Sequence, residues 1–597
     1  MPPGLFSILY PKLWAGQNNK RFRLMHNLKP LALILLTSAF LWGCSADTPS
    51  GNSSDAVKTY SGELTKAEYD ALTNEQKYQV ANKLLGTVFK GMPVDEFFDI
   101  SNGMDNKTLK SGANLLFDSK VALATELTQA AVIENDLIIT DPDDDGNNSL
   151  FQIDFNDSSD DATWPKVLPL SRIYQYPLSK DTLDNWIAYV LANTILFSPA
   201  EEIDSTTVRD VQKVFDKLRE DLRANKTVSQ IISRHQHSQE NWRRFRSPED
   251  NTREMIEIYL GLFDRDADVP RASIACKNLY LTDEDAGYEL ISNGFANTEP
   301  QYVLDTFVTT CSDFYDVVAN HPLVMPRITT SIVEYFFFTK TGEERAEIVK
   351  TILSDSPTTF QDIFVSILFS KDYLLNNERP KSVEETFYSL SHQMDWRPYR
   401  DVLEDMASDL DDLSLKQMGW PIMSLKLGRF TGVPLDSLSF ANYHKGVREQ
   451  LILGAGGGTT CSDEDSSGNA RCRWSTGLGL NPSDDDLTVA LADDATDQAK
   501  IIRQYEVNRM AKLEERADRV TGLSLDDYID YIFMTGLQRN ASNIEKTDLI
   551  TLYTTANYLE DDNGVMVIRD GRHDEIAQIA FDYMTRLPEF YYYMKAN

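Results

Sequence analysis

The chain is poor in positive charge. It carries 58 Lys and Arg residues against 92 Asp and Glu residues, which gives 597 residues a formal net charge of −34. A field of this sign repels phosphate backbones, so the composition argues against nucleic acid as a partner. It favours solubility, cations and basic proteins instead. With 42% hydrophobic residues, the chain is nevertheless long and apolar enough to build a large core.

Several familiar site motifs are also missing. The sequence has no CxxC and no CxxCH, which argues against zinc ribbons and covalent c-type haem. It has no GxSxG and no HExxH, so neither a nucleophile elbow nor a zincin helix is indicated. No run reaches the roughly 18 consecutive apolar residues of a membrane-spanning helix. Activity therefore has to be inferred from less specific patterns.

The most apolar run ends at a cysteine. Residues 1–43 contain five Lys or Arg and no Asp or Glu, and their apolar run is Leu31–Trp42. As a helix this run covers about 18 Å, too short for a ~30 Å hydrocarbon core, so it has the shape of a signal peptide. Leu41, Gly43 and Cys44 resemble the lipobox of bacterial lipoproteins, with Trp42 where a small residue is usual. We expect residues 1–43 to be a lipoprotein signal and Cys44 to carry palmitate-type acyl chains.

The residues after the cysteine extend this prediction. Residues 44–62 are small and polar without apolar periodicity, so they predict a flexible tether. Ser45 follows the cysteine, and by resemblance to lipoprotein sorting signals it favours the outer membrane, on its periplasmic or surface face. The lipid would then attach the protein to the membrane, where envelope proteins are the expected partners. The signal starts at either Met1 or Met25, and the sequence leaves both alternatives open.

Four cysteines remain once Cys44 is assigned to lipid. An even number in an oxidising compartment indicates disulfides, and four cysteines allow three pairings. We favour the nearest neighbours in sequence, Cys276 with Cys311 and Cys461 with Cys472.

The periodicity predicts a mainly α fold. Apolar residues recur at helical spacing in segments such as "DTLDNWIAYVLANTILF", and Thr73 with Gln76 fits a capping box. The best strand candidates are "ENDLIITD" at 134–141 and "SLFQIDF" at 149–155, which predict a small β and loop insertion near 135–160.

Composition divides the chain into successive ranges. Two similar phrases, "MIEIYLGLFDRDA" at 255–267 and "IDYIFMTGLQRNA" at 529–541, indicate related helical units in a multi-domain assembly. The predicted ranges are an N-terminal helical domain at 63–245 that includes an acidic loop, a central helical domain at 246–453, a Gly- and Asp-rich disulfide loop at 454–500 and a C-terminal helical unit at 501–597.

One stretch carries a family resemblance. "PEDNTREMIEIYLGLFD" has Asn251, Arg253, Glu254 and Glu257 at the spacing of a motif in a family of secreted bacterial proteins, the domain of unknown function numbered eighteen-hundred. "HPLVMPRITTSIVEYFFF" and "DIFVSILFSKDYL" follow in that family's order, and the resemblance covers roughly 180–450. It implies an all-helical exported domain and lends no catalytic residue. Arg253, Glu254 and Glu257 are therefore catalytic candidates on residue type alone.

An acidic loop predicts a calcium site. In "DPDDDGNNSLFQ", Asp141, Asp143 and Asp145 alternate before a glycine, as in the first half of a Ca²⁺-binding loop. Asn147 would add a carbonyl and Ser149 a hydroxyl or water. The final bidentate glutamate is replaced by Gln152, so the predicted Ca²⁺ affinity is low, and a plain acidic turn is the alternative.

A second cluster is "RHQHSQENWRRFR" at 234–246. His235, His237 and Glu240 would form a metal set only in an extended segment; otherwise the stretch is a basic patch. Three functions stay open. One is a lipid-anchored helical binding or assembly component at the cell envelope, the alternative is an envelope enzyme acting on a polymer, and the third is a metal-dependent module in which the Ca²⁺ loop regulates contact.

Overall fold

The fold is mainly helical, as predicted. The computed structural model describes residues 57–105, 107–110, 115–139, 172–193, 196, 208–283, 288–394 and 497–596. Its helices are α1 (Lys66–Asp70), α2 (Asn74–Thr87), α3 (Val94–Phe97), α4 (Leu115–Ala124), α5 (Gln129–Ile139), α6 (Lys180–Asn193), α7 (Val208–Arg223), α8 (Val228–Gln236), α9 (Gln239–Arg244), α10 (Pro248–Leu260), α11 (Val269–Ala275), α12 (Cys311–Ala319), α13 (Val324–Phe336), α14 (Gly342–Ser354), α15 (Phe360–Leu368), α16 (Lys371–Leu374), α17 (Val383–Gln393), α18 (Asp497–Thr521), α19 (Leu525–Leu537), α20 (Asn543–Thr555) and α21 (His573–Met584), with a 3₁₀ turn at Pro588–Tyr591.

Short antiparallel strand pairs connect some of these helices. They are β1 (Phe98–Asp99) with β2 (Thr108–Leu109), β3 (Leu279–Leu281) with β4 (Leu290–Ser292), β5 (Gln301–Val303) with β6 (Thr306–Val308), β7 (Arg379–Pro380) with β10 (Tyr592–Tyr593), and β8 (Leu559–Asp562) with β9 (Val565–Ile568). Among the described residues, no helix is both long and apolar enough to cross a membrane.

Capping chemistry fixes where many helices begin. At α2 the predicted box is confirmed, since Thr73 Oγ1 accepts from the N–H of Gln76 at 3.2 Å and Gln76 Oε1 accepts from the N–H of Thr73 at 2.9 Å. Each box satisfies two N–H groups that the first turn leaves unpaired. The same arrangement begins other helices at Thr65, Thr227, Thr310, Thr341, Thr359, Ser382 and Ser542.

One hydrophobic core joins the described helices. Within the part of the chain that the structure describes, the ranges predicted at 63–245, 246–453 and 501–597 all contribute buried side chains to the same cluster. Strand β10 closes this core by pairing with β7, and Tyr593 lies against α2. A Cβ on Gly86 would lie 2.5 Å from Tyr593 Oη, so glycine is needed there for the close approach.

Two boundaries differ from the prediction. Residues 134–139 of the expected strand "ENDLIITD" belong to helix α5, where Asn135 Nδ2 donates to the carbonyl of Ala131 at 2.8 Å. Short apolar runs suit strand and helix alike, and here the preceding alanines favour the helix. The other strand candidate, at 149–155, lies outside the described residues. Helix α18 begins at Asp497, inside the range predicted as loop.

The two similar phrases have similar structures. Each phrase contains the end of an apolar helix whose C-cap residue has a left-handed backbone conformation. This residue is Gly261 for α10 and Gln538 for α19. In each case an arginine, a second helix, one or two β-hairpins and a third helix follow, giving α11 to α12 in the first unit and α20 to α21 in the second. The two regions therefore share a helix, hairpin and helix order, and the first has one hairpin more than the second.

Candidate functional site

A disulfide joins the ends of two helices in the first unit. Cys276 is the C-cap of α11 and Cys311 is the first residue of α12, and the two form the disulfide that was favoured from the sequence. Their Cα atoms are 4.3 Å apart, and the hairpins β3–β4 and β5–β6 lie between them in sequence. The bridge thus fixes the start of α12 against the end of α11. The second predicted pair, Cys461 with Cys472, lies outside the described residues.

A pocket of about 320 Å³ opens beside this disulfide. Cys311 lies in its wall, and the side chains of Trp242 and Tyr315 contribute to the lining from α9 and α12. Both aromatic residues are fully buried within the fold, so they support the wall from the core side, while the half-buried Leu279 and Leu290 form apolar surface of the pocket. The pocket is therefore built on helices that the core holds in place.

The rest of the lining combines four apolar residues, Ala275, Leu279, Leu290 and Ala296, with polar ones, and among the described residues it carries no Lys, Arg, Asp or Glu. Asn278 and Asn297 contribute amides, Thr310 and Ser312 contribute hydroxyls, and His237 contributes an imidazole. Amides and hydroxyls both donate and accept hydrogen bonds. This combination suits an uncharged ligand with hydroxyl or amide groups and an apolar face.

A residue of the family-like motif positions one wall of the pocket. Tyr315 Oη donates to Oδ1 of the buried Asn251 at 2.7 Å. Burial raises the pKa of Tyr315 above its ordinary value, so the phenol stays neutral and keeps donating this bond. Asn251 therefore acts on the pocket through Tyr315.

His237 and Ser312 meet at the pocket. Helix α8 ends at Gln236, so His237 lies in the turn before α9, exposed to solvent. Its Nε2 lies 3.1 Å from Ser312 Oγ, and its Nδ1 lies 2.7 Å from the carbonyl oxygen of Ser233. Its ring also packs edge-on against Tyr315, with centroids 4.9 Å apart. Contacts at both ring nitrogens and with the ring of Tyr315 thus fix the orientation of the imidazole.

The metal set considered for this stretch is not formed. Among the described residues, no group of three or more His, Cys, Asp or Glu side chains could hold a metal ion. His235 is buried, and burial, with Arg244 nearby, lowers its pKa to about 4. Glu240 instead accepts from Lys217 Nζ at 2.7 Å. The two histidines lie at a helix end rather than in the extended segment that a shared metal would need.

The basic residues of this stretch are engaged within the fold. Arg234 pairs with Glu220 at 2.7 Å and with Asp221, and Arg243 Nε donates to the carbonyl of Tyr288 at 3.1 Å. Arg244 is buried. Arg234 thus connects α8 with α7, and Arg243 connects α9 with the backbone at Tyr288.

The catalytic candidates of the family-like motif lie elsewhere. Arg253, Glu254 and Glu257 are half-buried on α10, and none of them lines the pocket. Arg253 pairs with Asp266 at 2.5 Å and with Glu249 at 3.7 Å. The described structure gives Arg253 a surface ion-pair role, and a catalytic role for the three residues stays a prediction.

The sequence did not single out Ser312, Trp242 or Tyr315 as site residues. Only one signal pointed to this place, the spacing of Thr310 and Asp313, which fits a capping box and puts Ser312 in a first helical turn. Two other predicted sites lie outside the described residues, namely the lipidation site Cys44 and the calcium site of Asp141, Asp143, Asp145, Asn147 and Ser149.

No protein-family model, curated protein or solved structure matches this chain. The resemblance noted around Asn251 therefore stays a prediction.

Proposed function

We propose that this protein is a lipid-anchored binding component of the cell envelope, whose pocket beside Cys276 and Cys311 takes a segment of a neutral glycan. The pocket carries this proposal. It combines the half-buried apolar side chains of Leu279 and Leu290 with amides and hydroxyls, and among the described residues its lining has no Lys, Arg, Asp or Glu. Sugars present hydroxyls at their edges and apolar C–H faces, which match such a lining.

Exposed aromatic rings near the pocket support an extended ligand. Phe295 directly precedes the lining residues Ala296 and Asn297, and it is 78% exposed. On the β5–β6 hairpin, Tyr302 and the 70% exposed Phe307 pack against each other, with centroids 5.1 Å apart. Tyr302 and Phe307 form a contiguous exposed aromatic patch, and because such patches can mark binding sites, a polymer could lie across it.

The sequence supports the location. Lipid on Cys44 would hold the protein at the outer membrane, and the polar residues after it would give reach. The net charge of −34 would speed encounter with basic envelope proteins and repel acidic polymers. A neutral glycan avoids that repulsion. Calcium at Asp141, Asp143 and Asp145 would be a separate, low-affinity feature.

Calorimetry on the full chain can test the pocket. Hexasaccharides of glucose and of N-acetylglucosamine are the neutral probes, and hexagalacturonate is the acidic comparison. Ala296→Trp should abolish binding of a neutral probe, because it fills the pocket without removing a polar contact. Ala130→Trp, on an exposed position of α5, is the matched control and should bind as the wild type does.

Two results would contradict the proposal. One is equal affinity in wild type and Ala296→Trp, and the other is absence of binding to every neutral probe. Alanine at Arg253, Glu254 or Glu257 should leave affinity unchanged, because these side chains lie outside the pocket.

A further inference from the structure

The hydrogen bonds of His237 fix its tautomer. Nδ1 lies 2.7 Å from the Ser233 carbonyl oxygen, which can only accept, so Nδ1 carries the proton of the neutral ring. Nε2 is then left with its lone pair and faces Ser312 Oγ at 3.1 Å. Ser312 therefore donates its hydroxyl proton toward Nε2. This is the arrangement of a nucleophile beside a general base that a third group orients.

The first turn of α12 also offers hydrogen-bond donors beside this serine. Thr310 Oγ1 accepts from the N–H of Asp313, whose carboxylate accepts from the N–H groups of Thr309 and Thr310. Within the described chain, the N–H groups of Cys311 and Ser312 donate to no acceptor. Two free N–H groups at a helix N-terminus can stabilise a negative oxygen that develops next to Ser312, although the Asp313 carboxylate offsets part of that field.

Both reacting side chains are accessible and supported. His237 and Ser312 are exposed to solvent and line the pocket. Ser312 follows Cys311, whose disulfide to Cys276 anchors that end of α12. His237 is the C-cap of α8, a helix that packs against α12. Support of this kind is what holds two groups at a reactive distance.

We propose that Ser312 and His237 form a nucleophile–base pair that hydrolyses an acyl ester carried by the neutral ligand of this pocket. Ser312 Oγ bonds to the ester carbonyl carbon while its proton passes to His237 Nε2. The bond between the carbonyl carbon and the ligand oxygen then breaks. The leaving oxygen takes the proton from His237 Nε2 and becomes a hydroxyl of the ligand. Water attacks the acyl-serine and gives its proton to Nε2, which returns it to Ser312 Oγ as the carboxylic acid leaves.

This inference rests on the proposed function only in using the same pocket, and a small reactive probe can test it without the glycan. The full chain is treated with a fluorophosphonate, and the modified residue is located by peptide mass spectrometry. Turnover of p-nitrophenyl acetate is measured in parallel. The wild type should be modified at Ser312 and should turn over the ester.

Three variants complete the experiment. Ser312→Ala should lose both signals, and His237→Gln should slow both at least about 100-fold, the usual size of a general-base contribution. Ser101→Ala, at another exposed serine, should behave as the wild type does. The melting temperature of each variant checks that the fold survives.

The outcomes separate the two proposals. The inference is overturned if Ser312 is not modified in the wild type, or if His237→Gln reacts at the wild-type rate. Modification at Ser312 without glycan binding would support this inference and contradict the proposed function. Glycan binding without modification of Ser312 would support the proposed function and contradict this inference.

Discussion

Arg379 and Glu385 form a doubly hydrogen-bonded ion pair in the core. Arg379 Nη1 donates to Glu385 Oε2 at 2.9 Å, and Nη2 donates to Oε1. The two side chains are 3% and 0% exposed. Tyr373 Oη accepts from the same guanidinium at 2.8 and 3.2 Å, and the ring of Tyr593 lies 4.9 Å from it. These contacts replace water around the guanidinium and the carboxylate, so both charged groups are desolvated.

Breaking this pair should destabilise the fold strongly. Glu385→Gln keeps the shape and the acceptor that caps α17 but leaves the Arg379 charge unpaired, so the free energy of unfolding should fall by about 3–5 kcal/mol. Urea unfolding measures this change in the free energy of unfolding. Glu347→Gln is the control, because Glu347 pairs with Lys350 at 3.2 Å where both are about three-quarters exposed. Its effect should stay under about 1 kcal/mol. Equal effects of the two changes would contradict the prediction.

Stability should depend on the protonation of His235. Burial, with Arg244 nearby, lowers its pKa from 6.5 to about 4. The unfolded ring takes up a proton as pH falls below about 6.5 and the folded ring only near 4, so stability is lost over that interval. Between pH 7.5 and 4.5 the wild type should lose about 2–3 kcal/mol more than His235→Gln does. Urea unfolding at the two pH values measures the difference. Equal losses in the two proteins would show that this imidazole does not carry the effect.

Much of the fold could be predicted from local patterns. The Thr73–Gln76 box gave the start of α2, because capping depends only on residues close in sequence. Proximity in sequence also favoured the Cys276–Cys311 pair. The strand expected at 134–139 failed, since a short apolar run next to alanines fits a helix equally well.

The site was harder to predict because its parts come from distant elements. His237 and Ser312 are 75 residues apart in sequence and meet only through the packing of α8 on α12. No spacing rule connects them. Asn251 carried a sequence signal, but its partner Tyr315 did not, since one aromatic residue in an apolar helix looks like any other core residue.

The Cys276–Cys311 disulfide should stabilise both fold and pocket. It closes a loop with a sequence separation of 35 residues, so changing both cysteines to serine should lower the free energy of unfolding by about 3–4 kcal/mol. Alkylation before reduction should leave both cysteines unmodified, as intact-mass measurement can show. A reductant should lower the melting temperature of the double variant further only if the predicted Cys461–Cys472 bridge exists. Ready alkylation of Cys276 in the native protein would contradict the bridge.

The lipid anchor can be tested by changing one atom. Cys44→Ser replaces the sulfur that would be acylated, so the variant should no longer incorporate labelled palmitate or partition into the detergent phase. Wild type and variant should melt at the same temperature, because Cys44 precedes in sequence the residues of the described core, the first of which is Leu64. A wild type that stays in the aqueous phase would rule the anchor out.

Calcium should raise the melting temperature slightly and only at millimolar concentration. Asp141, Asp143 and Asp145 offer the charged oxygens, while Gln152 replaces the usual bidentate carboxylate. A ligand that binds only the folded state raises the melting temperature with its concentration. Asp143→Ala should abolish the rise, and magnesium at equal ionic strength serves as the control. The same rise in wild type and Asp143→Ala would assign it to general salt effects.

The pairing of β7 with β10 bears on the timing of folding. Lys381 Nζ donates to the carbonyl of Phe590, a residue 209 positions later, and Tyr593 covers the guanidinium of Arg379. A ribosome builds the chain from its N-terminus, so the contacts of Lys381 with Phe590 and of Arg379 with Tyr593 cannot form until residue 593 has been synthesised. The nascent protein cannot complete its core early.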